Sequence, residues 1–293
     1  MEIKFLNLSI KEKSKCIANN FNLKIAPSEI TGIYQDNKQL ILKLLLNKLS
    51  YDGEILIDNK NIFEYNDNLI SYVLSLNEKT FLTKKVKDEF FLAKKRLNEY
   101  EKSYIQKIVA SLRLVGLEEA YLEKDIYTLS KSEKKLLQIA LALVVNPDIL
   151  IFEDPFIYLD KNNFEKLLNI LFELKRKYKK TIIIYSQDIN MLYQITNNLV
   201  IFKDNKVLIS DKTKTVFKDL LFLKDNHIEL PEIIQFKEEA LLYGIKLQNT
   251  KSVNDLIKDV YKNVKENKKK VWFFFNDGFK QFTFDFYFII IFN

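Results

Sequence analysis

Glycine is scarce in this chain: five among 293 positions, where usual usage near 7% would give about 20. Backbone that must come close to a phosphate needs glycine, so an anion cradle here has little of its usual material. Cys16 is the one cysteine, which excludes an internal disulfide and a cysteine metal cluster. His227 is the one histidine, and it stands far from every other residue singled out below. No uninterrupted apolar run reaches membrane-spanning length, and the N-terminus has no basic stretch followed by an apolar one. A cytoplasmic location is the expectation.

What is present describes a folded protein. Hydrophobic residues make up 47% and charged residues 29%, a globular rather than a disordered composition. The length suits one large α/β domain, or a domain with an appendage. The net charge of +7 admits nucleic acid, an anionic membrane face or nothing specific. No basic cluster interleaves with aromatics on one evident face, so no nucleic-acid partner is expected.

The stretch from Leu129 to Asp160 carries the most information. Ser130 and Glu133 have the S-x-x-E spacing of a capping box. Leu136, Leu137, Ala140, Leu143 and Val144 recur at helical spacing, and Pro147 marks a stop. Ile149 to Phe152 is an unbroken apolar run, as expected of a strand covered on both faces in a parallel sheet. Glu153 and Asp154 then fall at the C-terminal end of that strand, where open α/β sheets hold their ligands.

Earlier in the chain, residues 2–10 read as a strand in two phases, Ile3 and Phe5 on one face and Leu6, Leu8 and Ile10 on the other, which predicts a bulge near Phe5-Leu6. Phe21 to Ile25 is a second strand and Ile30 to Tyr34 a third, followed by a Leu-rich helix over 40–49. Strand, tight loop and helix is the layout that aims backbone N–H groups at phosphates. The loop, however, is Gln35-Asp36-Asn37-Lys38-Gln39-Leu40, without glycine or a Lys-Ser/Thr pair. In G-x-x-x-x-G-K-[ST] the Lys lies six places beyond the first Gly; Lys38 is three beyond Gln35. A capped turn into a helix is the plainer reading of this loop, although Lys38 retains the reach to meet an anion. Tyr51-Asp52-Gly53 reads as a turn into a hairpin strand, Ile70 to Leu74 as a strand, and Ser103 to Val115 as a helix stopped by Gly116. Phe164 to Tyr178 is a further helix, Thr181 to Tyr185 a buried strand, and Asp204-Asn205 the turn of a hairpin.

This order resembles the ATPases of ABC transporters: Leu129-Ser130 opens the signature helix, the Asn-Pro-Asp break and apolar strand follow, and Pro155 and Leu159-Asp160 stand in register with the Walker B strand and D-loop. The family's Gly-Gly-Gln is Lys131-Ser132-Glu133 here, and its Asp-Glu is Glu153-Asp154. Ser75 holds the place of the Q-loop glutamine and Ser186-Gln187 that of the switch histidine, and Ile10 falls where an aromatic stacks on adenine. Residues 218–260 are similar to the C-terminal region of the ATPases of energy-coupling-factor (ECF) transporters. Tyr121-Leu122-Glu123-Lys124 leans toward the second of their two paired ATPase subunits.

The resemblance implies an α/β fold: a P-loop NTPase-like core with an antiparallel β subdomain, a helical subdomain near 86–128 and a C-terminal helical appendage. Its divisions are 1–217, 218–267 and a Phe-rich tail over 268–293, whose role is left open between packing on the core, lying against a membrane partner and having no selected structure. It implies ATP and Mg²⁺ as cofactors, weakly bound. Glu153, Asp154 and Gln187 take the catalytic places, with Glu153 also at the metal. Gln35, Asn37, Lys38, Gln39, Ser75, Ser130 and Asp160 take the nucleotide-binding places. Implied partners are a paralogous ATPase, as a heterodimer, and an integral membrane subunit, at the cytoplasmic face of the membrane. Two functions fit: a subunit energising uptake of a vitamin or metal with impaired ATP use, or a non-catalytic scaffold joining a partner ATPase to the membrane subunit.

Overall fold

Two sheets organise the larger of two compact units. The computed structural model describes residues 1–12, 15–34, 39–65, 68–77, 79–94, 101–248 and 253–266. The larger unit comprises 1–187 and 196–212, the smaller 188–195 and 213–293. The Phe-rich tail and Gln35 to Lys38 lie outside the described residues.

The first sheet is antiparallel, in the order β2-β1-β4-β5: β1 is Ile3–Glu12, β2 Lys15–Ile25, β4 Tyr51–Ile57 and β5 Lys60–Asn61. The expected bulge near Phe5-Leu6 is present, at Asn7 (φ 51°), with register shifts against both neighbours there. Its effect is the reverse of a change of face. Ile3, Phe5, Leu8 and Ile10 are all fully buried, because the extra residue returns the strand to the same core face. Tyr51 to Gly53 is strand, not turn. Gly53 (φ 107°) lies against the bulge, where a Cβ would come within 2.6 Å of the Leu6 carbonyl oxygen.

The second sheet runs β10-β9-β3-β8-β7-β6. In it β3 is Ile30–Tyr34, β6 Ile70–Val73, β7 Ile149–Glu153, β8 Thr181–Tyr185, β9 Asn198–Lys203 and β10 Lys206–Lys212. Neighbours from β9 to β6 are parallel, and only β10 is antiparallel. Every residue of β3 and β8 is buried, the outcome the unbroken apolar runs predict. Helix α1, Leu40–Leu45, is shorter than expected and joins Ile3, Phe5 and Ile55 of the first sheet and Ile151 and Ile183 of the second in one buried cluster.

Helices α2 (Val86–Lys94), α3 (Glu101–Val115) and α4 (Lys131–Leu143) follow the β6 edge, and α5 spans Lys161–Arg176. Gly116 (φ 80°) ends α3, its N–H bonding the Arg113 carbonyl while Leu117 N–H bonds that of Leu112. Of the five residues expected to face the core from α4 and its end, Leu136, Leu137, Ala140 and Val144 are buried and Leu143 is half-buried.

The smaller unit is helical: α6 (Ile189–Ile195), α7 (Thr213–Val216), α8 (Leu220–Asp225), α9 (Glu232–Leu242) and α10 (Val253–Glu266). Tyr193 and Phe217 meet edge to face with ring centroids 5.2 Å apart. Asn190 Oδ1 accepts the Glu232 N–H at 2.7 Å, which fixes the start of α9.

Candidate functional site

The parallel sheet brings the ends of β3, β6, β7 and β8 to one edge, and the site is built there. Glu153 ends β7 and is half-buried. Its Oε1 accepts an N–H from the Gln39 amide, and its Oε2 accepts the Ser75 backbone N–H at 2.9 Å. Gln39 precedes α1 in the left-handed region (φ 52°) and makes no cap with its side chain. Asp154 is also left-handed (φ 42°), a strained backbone for a residue with a Cβ. Its Oδ1 accepts from the Ser186 hydroxyl at 2.7 Å, and its N–H bonds the Tyr185 carbonyl. The fold thus unites Glu153, Asp154, Gln39 and Ser75; Gln187 is exposed beside Ser186. Gln35, Asn37 and Lys38 lie outside the described residues.

Ser130 and Asp160 belong to a second group. Ser130 caps α4 as its spacing predicts: Glu133 N–H donates to Ser130 Oγ at 3.2 Å, and Ser130 N–H to Glu133 Oε2 at 2.8 Å. The Tyr121 hydroxyl donates to Glu133 Oε1 at 2.5 Å. That bond, with the Ser130 N–H next in weight, holds the Glu133 carboxyl below its ordinary range. Asp160 caps α5 through the Asn163 N–H at 2.9 Å. The two loops are tied side chain to side chain. The Lys131 ammonium lies 4.7 Å from the Tyr158 ring centroid, and the Asn163 amide donates to Ser132 Oγ at 3.1 Å. Lys131 is exposed at the helix start, over its own chain's aromatic ring.

Lys135 is the residue that sequence reasoning missed. It is 1% exposed, and its ammonium donates to the Leu74 carbonyl at 3.1 Å and the Glu153 carbonyl at 3.2 Å. Burial pushes it down to about 8, against the opposing pull of the Asp154 and Glu153 charges. The available signal was a lysine set against the Leu136-Leu137 stripe, a pattern that more often marks a side chain reaching outward to solvent.

Residues 18–157 match the family described as ABC transporter, and this segment is an ABC-transporter ATPase domain. A curated relative, the energy-coupling factor transporter ATP-binding protein EcfA2 of Mesomycoplasma hyopneumoniae, is 31% identical over 160 residues, covering 54% of this chain and 53% of that protein. This segment resembles ABC ATPases of the energy-coupling-factor type, and the chain spans about half the length of the curated relatives it matches first. Among solved structures, cbiO1 from Clostridium perfringens, described as part of the ABC transporter complex cbiONQ, aligns with TM-score 0.67 at 23% identity, over 80% of this chain and 98% of that one. A dimeric ATP-binding cassette holding ADP and Pi aligns with TM-score 0.60 at 22% identity, over 72% of this chain and 98% of that one. At these identities the two structures speak for the fold.

Proteins of this family bind ATP, generally with Mg²⁺. In the P-loop motif a Ser or Thr hydroxyl after the Lys meets the metal. Aligning Lys38 with that Lys puts Gln39 in the hydroxyl's place, and its amide N–H goes to Glu153. Mg²⁺ demands oxygen ligands in near-octahedral array, whereas both Glu153 oxygens here already face N–H donors. A metal at Glu153 would compete with these two donors for the carboxylate. Ile10, at the place of the adenine-stacking aromatic, is fully buried and offers no stacking face.

Proposed function

We propose that the chain is the ATP-binding-type subunit of an ECF-like importer, with impaired ATP use, held at the cytoplasmic face of the membrane by an integral membrane subunit and paired with a paralogous ATPase. One observation carries the impairment: the Glu153 carboxylate is closed by Gln39 and Ser75. Phosphoryl transfer depends almost wholly on positioning and charge, so an acid already committed to two internal donors is poorly placed for it. A groove of about 600 Å³ between β6, α2 and α4, lined by Tyr72, Leu82, Leu92 and Leu141, supports docking of the membrane subunit, since Leu82 is 78% exposed.

Calorimetry of the isolated chain at millimolar Mg-ATP should give little heat. In the assembled pair, disabling the P-loop Lys of the partner ATPase should abolish hydrolysis, and Asp154→Ala in this chain should barely change it. Loss of most activity on Asp154→Ala would make this chain the catalyst.

The second reading, a scaffold that does not use ATP at all, is favoured by the ties of Lys131 to Tyr158 and Ser132 to Asn163, which engage the signature with its own chain. Equal importer activity with nucleotide binding by this chain abolished would select it.

A further inference from the structure

A lysine ammonium taken fully out of water must be paired or hydrogen-bonded, because its desolvation is otherwise costly. Lys135 meets that need in an unusual way. Its ammonium donates to two main-chain carbonyls, that of Leu74 just past β6 and that of Glu153 at the end of β7. Bonds to main chain fix where strands end rather than where side chains point. Three elements therefore converge on one charge: α4, which carries Lys135, and the two strand ends that lead into Ser75 and Asp154. Ser75 closes the circuit, its N–H donating to the Glu153 carboxylate.

The same elements wall the groove. Leu74, Ser75, Gln138 and Leu141 all line it, and Gln138 lies three residues beyond Lys135 on α4, nearly one turn. Gln138 Oε1 is a buried acceptor that no donor meets among the described residues. Leu74 thus faces the groove while its carbonyl holds the ammonium. Side-chain linkage through the neighbouring loop is short here, because position 75 is a serine.

We propose that Lys135 is a positioning residue that links the groove to the Glu153-Asp154 pair, spanning with a buried ammonium a distance that the side chain of Ser75 is too short to bridge. Sliding α4 against β6 or β7 strips hydrogen bonds from a buried charge, so the groove wall and the strand-end acids move together. The inference rests on the reading of the groove as a docking face, which gives it an occupant.

The test uses the full chain with ¹⁵N-labelled lysine and backbone amides, without nucleotide or partner. Leu141→Trp fills part of the groove from its own wall. The expected result is a shift of the Lys135 ammonium resonance together with the Ser75 and Asp154 amides. Adding Lys135→Met should abolish the Asp154 response and leave that of Ser75, and Lys135→Arg should restore it. A Lys135 ammonium indifferent to Leu141→Trp overturns the proposal, and this comparison stands even if Lys135→Met does not fold. An Asp154 response that survives Lys135→Met also overturns it. A failed nucleotide or docking assay bears on the transporter reading alone and leaves these resonances unaffected.

Discussion

At the strand ends, the Glu153 carboxylate takes N–H groups from Gln39 and Ser75, and Asp154 takes the Ser186 hydroxyl. At the start of α4, the Ser130–Glu133 box and the Lys131–Tyr158 contact occupy an exposed loop. Both regions depart from the ABC ATPase pattern, but in opposite directions. The acid region is closed inward, its polar groups paired with one another across the sheet edge. The signature region is filled outward, with side chains where the family has bare backbone. Inward closure changes what the acids are free to bind. Outward filling changes what can approach. The first should therefore register in stability, the second mainly in shape.

The largest effect expected is for Glu153→Ala. It strands the Ser75 N–H and the Gln39 amide, and losing a charge-assisted acceptor costs about 2 kcal/mol. Urea denaturation should give that loss with an unchanged slope. Lys131→Ala, by contrast, removes an exposed ammonium from a ring, about 0.5 kcal/mol. Equal losses in the two variants would break the distinction between the regions.

Ser130→Ala should fall between them. The hydroxyl accepts the Glu133 N–H and belongs to a reciprocal box, so its removal costs about 1 kcal/mol. Hydrogen exchange should rise in the first turn of α4 and stay unchanged at Ser75. Faster exchange at Ser75 as well would join the two regions that this comparison separates.

Much of the frame was legible before any coordinates. Unbroken apolar runs gave β3, β7 and β8, because a strand covered on both faces admits few polar residues. Gly116 and the Asn-Pro break gave helix ends, and Asp204-Asn205 gave the hairpin, with both residues at positive φ (50° and 61°). The errors share a cause. Tyr51 to Gly53 looked like a turn because glycine usually marks one, yet Gly53 is needed where β4 crosses the β1 bulge. The bulge is where the phase change put it, next to Phe5-Leu6, but it keeps Leu8 on the core face, which a two-residue period cannot reveal. The pairing of Gln39 with Glu153 joins residues 114 positions apart. Lys135 is buried against carbonyls that other segments supply. Local pattern sets the elements; such contacts arise only once the sheet order is in place.

The smallest effect separates the two regions by pH. Glu133 is held below its ordinary value of 4.5 chiefly by the Tyr121 hydroxyl, then by the Ser130 N–H. The folded chain therefore binds its proton there less readily than the unfolded chain. Stability from these bonds is fully present above the unfolded value and is lost as pH falls through the folded one. The carboxyl is largely solvated, so the contribution is small. Tyr121→Phe removes the first cause and should lessen the fall in melting temperature across the window in which pH drops below the ordinary carboxylate value. It should leave the Ser75 and Asp154 amide resonances in place, since its partner sits at the signature end. If Tyr121→Phe loses melting temperature in parallel with the unaltered chain across that window, the hydroxyl does not favour the ionised carboxylate. The signature region would then owe its order to the Ser130 cap alone.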